Sequence, residues 1–600
     1  MKSNHDHPLA SRLAEFPAFF FFPYLLIYLF AWKFELPLLA VEKVFWGLHF
    51  VNLLIAGWML REVFRKIKPV EWGFWILLAA LLWQRGAYLE YPSDPWEHFR
   101  RLTVWNDFER ISENPLKDRF AYFWGWTFIR YFDPIHQRSF LNFYSAFWQW
   151  IFCYQFARFC FRMGVQRTSL IPQVLGCLLF FGNGILNFRY YMLSSVPLAY
   201  VSYLSALMLC KEFLSSRKKE LLLAILPLIL LMAFNHGETI IFFMISIVAM
   251  GLLEINRRFH LTRRKAVLAT LLMFLAATYA LGYAAWFYHW FPYNKFVNSG
   301  LWHPQLTHFA TFRVWDLDGK IFNSIALPGL IALGGSFLFF KRFPEIVAIS
   351  WMQLLVLVFP VSAVLIVRFF HYDTPYRVLY TLPVSFLGVL LLEKGITKVF
   401  SKKPQRQWIV TSVLVVLLSI PAAFPWRGRG FFQIHRPKTD RSLVPLDQTA
   451  QWFFENRKSN PRNCQILSDD LSLFSLHAHL GKDRYYFDRA NPRHFLKEMG
   501  RDSQLLVEKL VSISLEQKEV CGILIARSAD VPPPQYSIIA MEGQLWPPQR
   551  GHLETYLSKD DGLLREGLIN RRWKKIAVPP YYDLYEPPYL NDLPSSTSSK

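Results

Sequence analysis

The chain has 600 residues, 53% hydrophobic and only 18% charged, where soluble globular domains carry roughly 25% charged residues. With 22 Trp, 27 Tyr and 56 Phe, it is neither a disordered nor a collagen-like chain, and it reads as a polytopic membrane protein. The formal net charge is +22, but residues from Arg427 onward contribute only +4. The rest is interleaved with apolar runs, where Lys and Arg set membrane orientation, so no nucleic-acid partner is expected.

Apolar runs begin near Phe16, Val44, Glu71, Phe140, Leu170, Tyr191, Glu220, Thr239, Lys265, Phe322, Ile346, Arg377 and Trp408. They predict a mainly α fold with about thirteen transmembrane helices over residues 1–425. The first run lacks a small-residue cleavage site after it and reads as a retained membrane helix rather than a signal peptide. Every second short connection is basic, as at Arg61, Arg162/Arg167, Lys211/Arg217/Lys218/Lys219, Arg257/Arg258, Lys341/Arg342 and Lys394/Lys398. By the positive-inside rule the N-terminus is cytoplasmic. An odd span count then places the region after Pro425 outside, which in a bacterium means the outer face of the inner membrane.

Residues 426–593 lose the long apolar runs. Short β-type runs at 464–467, 484–487 and 522–526 alternate with helical patterns, and residues 573–585 read as a strand pair broken by Pro579-Pro580. An extracytoplasmic α/β domain is expected, with a disordered Ser-rich tail over residues 594–600. The six cysteines show neither CxxC spacing nor close ligand pairs. A disulfide framework and a zinc site are not expected, although Cys464 and Cys521 either pair in an oxidising compartment or stay buried thiols.

Ionisable residues beside membrane helices are costly and are the first functional candidates. The outer loop over residues 84–139 opens with Glu90, Asp94, Glu97, His98, Arg100 and Arg101. Two readings stand there. Asp94 followed by Pro95 and Glu97 has the spacing of a helix N-cap and capping box, and the same carboxylates suit a general base with a second acid. Residues 95–110 then form an amphipathic helix at the membrane surface. Asn235, His236 and Glu238 occupy a minimal outer turn that serves either helix capping or substrate contact. Arg368, His371 and Arg377 suit a phosphate or diphosphate headgroup, because guanidinium makes bidentate contacts. Arg189 also faces outward. Asp316 and Asp318 form an Asp-x-Asp pair that reads as an ordinary turn or as a divalent-metal contact; no metal and no cofactor is assigned. The absence of a Walker loop, a Rossmann fingerprint or a nucleophile elbow gives the chain no visible means of using ATP or NAD.

This layout resembles the GT-C superfamily of integral membrane glycosyltransferases: many spans, an acidic motif in a long outer loop, later Arg-containing outer loops and an outer α/β domain. The resemblance implies that Asp94 activates the acceptor, with Glu97 or Glu90 as a second acid. It also implies that Arg368 or Arg377 binds the phosphate of a polyprenyl-phosphate sugar donor, and that a single displacement inverts the anomeric carbon. Here Pro95 follows Asp94 where family members place closely spaced acids, and the loop follows the third span rather than the first. The expected partners are that donor, membrane lipid and an acceptor the sequence does not identify. The rival expectations are a transporter or flippase of lipid-linked precursors and a non-catalytic envelope assembly protein. Inverted halves typical of transporters are not visible.

Overall fold

A computed structural model describes residues 16–64, 69–85, 102, 105, 110–111, 115–132, 134–179, 195–258, 320–358, 383–399, 404–423, 452, 465–468, 520–526, 566, 568–578 and 582–586. The protein is mainly helical, with a small sheet near the C-terminus. It divides into two compact units. The first comprises Met1–Gly86, Arg110–Ala121 and Phe143–His435, and the second Ala87–Glu109, Tyr122–Asn142 and Arg436–Lys600.

The described α-helices of nine residues or more are α1 (Phe22–Lys33), α2 (Leu38–Phe64), α3 (Pro69–Arg85), α4 (Phe120–Ile129), α5 (Pro134–Arg162), α6 (Leu170–Leu178), α7 (Val196–Ser216), α8 (Glu220–His236), α9 (Glu238–Arg258), α10 (Lys320–Gly335), α11 (Pro344–Val358), α12 (Val384–Val399) and α13 (Pro404–Ala423). All but α4 lie on apolar runs expected from sequence; the run near Lys265 falls outside the described residues. Three are long and apolar enough to cross a membrane, over Leu38–Trp58, Val196–Ser216 and Glu238–Arg257. Shorter apolar stretches include Glu71–Trp83, Glu220–His236 and Arg406–Ser419.

In the first unit, α1 and α2 form a hairpin whose tight link places Glu35 in the left-handed region at φ 51°. The Asn52 amide donates to Tyr24 Oη at 2.8 Å, which leaves the Tyr24 proton for His49 Nδ1 at 2.9 Å. That chain of bonds joins three polar groups inside an apolar hairpin, where a polar group without a partner is costly. Helix α7 is the hub. It packs against α8 and α9, and 72% of its apolar window is buried, against 28% for α2 and 33% for α9. Its Tyr203 hydroxyl meets Ser246 of α9 at 2.9 Å, and Gln353 of α11 donates to both, at 3.0 and 3.2 Å. Buried cross-helix bonds of this kind contribute about 0.6 kcal/mol each in apolar surroundings. Helices α10 and α12 approach closely because Gly335 has no side chain: a Cβ there would stand 2.8 Å from Leu391 Cδ1. Val389 of α12 and Val415 of α13 are fully buried, with Leu175 of α6 packed on them.

Ion pairs link the basic connections to one another. Glu71 at the start of α3 takes two bonds from Arg167, each 2.6 Å. Those bonds raise the Arg167 pKa above its ordinary value, while a half-exposed pair of this kind contributes only about 0.2–1 kcal/mol. Lys211 donates to the Arg162 carbonyl at 3.4 Å, Arg217 pairs with Glu254, and Arg257 with Glu345 at 2.8 Å. These contacts join the C-terminal ends of α5, α7 and α9 to the N-terminal end of α11. The Arg217–Glu254 pair also makes α8 and α9 an antiparallel hairpin that returns to the end of α7 it left.

In the second unit Leu102 and Trp105 are fully buried, and the Trp105 ring meets Phe123 edge-on at 5.0 Å. This side of the expected amphipathic segment therefore packs on protein; its Trp96 and Phe99 lie outside the described residues. The sheet comprises β1 (Gln465–Ser468), β2 (Val520–Ala526), β3 (Lys574–Val578) and β4 (Tyr582–Glu586), in the order β1-β2-β4-β3. β1 runs parallel to β2, and the other pairs are antiparallel. A parallel pair needs a long crossover, in keeping with an α/β reading. The run at 484–487 lies outside the described residues. Gly522 permits β4 to approach: a Cβ there would lie 2.7 Å from Leu584 Cδ1 and 3.3 Å from the Tyr585 carbonyl. Leu584 is 2% exposed and has little room to move. Gly522→Val is expected to destabilise the sheet by about 1–3 kcal/mol, the usual range for overpacking. Limited proteolysis of the full chain should show faster cleavage after residue 436 with the helical unit unchanged, and an unaltered pattern would refute the close approach.

Candidate functional site

The turn between α8 and α9 is the described part of the predicted site. Gly237 separates the helices in right-handed conformation, φ −54° and ψ −30°, so the turn is not the left-handed helix cap that a glycine commonly supplies. Asn235, 1% exposed, does its capping elsewhere. Its Oδ1 accepts the Ala121 backbone N–H at 2.8 Å, one of the donors that the first turn of a helix leaves without an intrahelical partner. Its Nδ2 donates to the Leu231 carbonyl at 2.7 Å. The Ser195 hydroxyl donates to the Asn235 carbonyl at 2.7 Å, and Tyr144 donates to the Ala121 carbonyl at 2.8 Å.

Arg119 enters this cluster from a strained backbone, at φ 54°. Left-handed conformation is unfavourable for a residue with a Cβ and persists where surrounding structure enforces it. Its Nη1 donates to Ser195 Oγ at 3.2 Å, which brings a guanidinium to the end of α7 where α8 stops and α9 begins. The imidazole of His236, 6% exposed, stands between two oxygen-bearing side chains. Its Nδ1 is 3.0 Å from Thr239 Oγ1, and its Nε2 is 3.9 Å from Glu238 Oε2. The first is a hydrogen bond and the second an ion-pair distance whenever the ring is protonated. Thr239 is fully buried and Glu238 partly so, its side chain 17% exposed. The arrangement lets a protonated ring pair with the Glu238 carboxylate, with Thr239 fixing the ring's orientation.

The structure thus brings His236 and Glu238 together, and adds Arg119, Ser195 and Tyr144, which sequence reasoning did not single out. Pro197 at the second position of α7 marks a helix start and so points to Ser195; no sequence signal marks Arg119. Glu90, Asp94, Glu97, His98, Arg100, Arg101, Arg189, Arg368, His371 and Arg377 lie outside the described residues, as do Asp316 and Asp318. Among the described residues no group of three or more His, Cys, Asp or Glu side chains is placed to hold a metal. Cys153, Cys160, Cys177 and Cys210 are free thiols. No protein-family model matches the chain, and no curated protein matches it.

Proposed function

We propose that the chain is a membrane glycosyltransferase of GT-C type that moves a sugar from a polyprenyl-phosphate donor to an envelope glycan, lipid or protein acceptor on the outer face. In this reading about thirteen helices span the membrane, the N-terminus is cytoplasmic and the α/β region is extracytoplasmic. Asp94, with Glu97, takes the proton of an acceptor hydroxyl as the oxygen attacks the anomeric carbon. The bond from that carbon to the phosphate oxygen breaks, the carbon inverts, and Arg368, Arg377 and His371 hold the departing polyprenyl phosphate. Glu90, His98, Arg100, Arg101, Arg189, His236 and Glu238 contact the substrates.

The observation that carries the reading is the segregation of charge along the α7–α8–α9 hairpins. Arg119, His236 and Glu238 gather where α7 begins and α8 ends, whereas Lys211, Arg217 and Arg257 gather with Glu254 and Glu345 at the other end. Basic connections on one side and a mixed acid, imidazole and guanidinium cluster on the other suit a bilayer-spanning enzyme with its chemistry on the outer face. Exposed apolar side chains between the ends, such as Leu226 of α8 at 56% and Met244 of α9 at 53%, suit contact with acyl chains. Mass spectrometry of envelope glycans and polyprenyl-linked sugars tests the reading. A strain lacking the chain is expected to lose one sugar from a glycan and to accumulate its lipid-linked donor, and an unchanged profile would overturn the proposal.

A further inference from the structure

We infer that the turn joining α7 to α8 is a binding site for the headgroup of an anionic phospholipid, whose acyl chains lie on the first turns of α8. The inference rests on the membrane association of the helical unit and is independent of any catalytic role.

Three basic residues follow one another in this turn. Arg217 ends α7 in left-handed conformation at φ 60° and its guanidinium is engaged by Glu254. Lys218 and Lys219 are exposed and have no ion pair among the described residues. Glu220, in the first turn of α8, is also exposed and leaves the turn net positive. Directly after it, Leu222, Leu223 and Leu226 are 48%, 74% and 56% exposed, a strip of leucine that no described element of the unit covers. One helical turn advances about 5 Å, so the two ammonium groups stand within a side chain's length of the strip. A lysine whose stem lies on apolar surface and whose head reaches upward meets a phosphate at the depth where a bilayer holds its headgroups. A soluble phosphate satisfies only the lysines. A phospholipid satisfies lysines and leucines together, which is why a lipid is the assigned occupant.

Native mass spectrometry of the full chain in mild detergent, titrated with dioleoyl phosphatidylglycerol or with dioleoyl phosphatidylcholine, tests the site. The wild-type chain is expected to retain the phosphatidylglycerol more tightly. Each lysine removed should weaken its binding about fivefold, and Lys218→Gln with Lys219→Gln about thirtyfold, the electrostatic worth of two basic groups at an anionic surface. The paired Lys218→Arg and Lys219→Arg variant should bind as wild type, which separates a charge site from a turn that merely needs lysine to fold. Inorganic phosphate at the lipid's concentration should not displace the lipid. Equal retention of the two lipids, unchanged binding in the glutamine variant, loss in the arginine variant, or displacement by inorganic phosphate would each overturn the assignment.

Discussion

Replacing Asp94 with Asn should slow sugar transfer by about 10²–10⁴-fold, the usual share of a general base. Asparagine matches the size of aspartate and caps a helix N-terminus equally well. The variant should therefore reach the membrane at wild-type abundance, and a fall in transfer would report chemistry rather than folding. In a deletion strain complemented with Asp94→Asn, the glycan should lack the same sugar as in the deletion itself, with the same lipid-linked donor accumulating. Restoration of the wild-type profile would make Asp94 a helix cap and favour transport or assembly as the chain's role.

The second large effect is expected in folding. Asn235→Leu removes the acceptor for the Ala121 N–H and the donor to the Leu231 carbonyl in a fully buried setting. Loss of this cap abandons the buried Ala121 N–H, at a cost of about 1–3 kcal/mol, visible as a lower midpoint of thermal unfolding for the purified chain in detergent. Asn235→Asp keeps the acceptor oxygen but buries a carboxyl against the Leu231 carbonyl, so its loss should shrink as the pH is lowered and the carboxyl gains a proton to donate there. A leucine variant as stable as wild type would show that the cross-helix cap does not hold these elements together.

The helices were legible from their apolar runs, but their starts were not: the runs near Phe140, Ile346 and Trp408 begin two to six residues after Pro134, Pro344 and Pro404, which open the described helices as the fixed φ of proline favours at a first turn. The terminal strand pair was legible from Val578-Pro579-Pro580, since β3 ends at Val578 and β4 begins at Tyr582. The short helix α4 was not, because the aromatic-rich stretch Phe120–Ile129 carries no amphipathic period to read. The partner order of the sheet was also hidden, since pairing β2 with β4 joins residues some sixty positions apart. At the candidate site, His236 and Glu238 were visible as ionisable residues in an apolar setting. The task of Asn235 was not, because the backbone group it caps is 114 residues away in the chain. Nor was Arg119, whose left-handed backbone is a tertiary constraint with no local residue signature.

The burial of α7 also bears on biogenesis. It is the least apolar of the three long helices and the most enclosed by protein, and its Ser202, Ser205 and Tyr203 are buried against neighbours rather than presented outward. A segment of that kind partitions weakly into lipid by itself, and gains its place when later helices supply the surfaces that its hydroxyls and small residues fit. The α8–α9 hairpin, synthesised after α7, provides Ser246 and the apolar face on which α7 rests. The Tyr203 hydroxyl of α7 thus finds its cross-helix partners in segments that follow it in the chain, on α9 and α11.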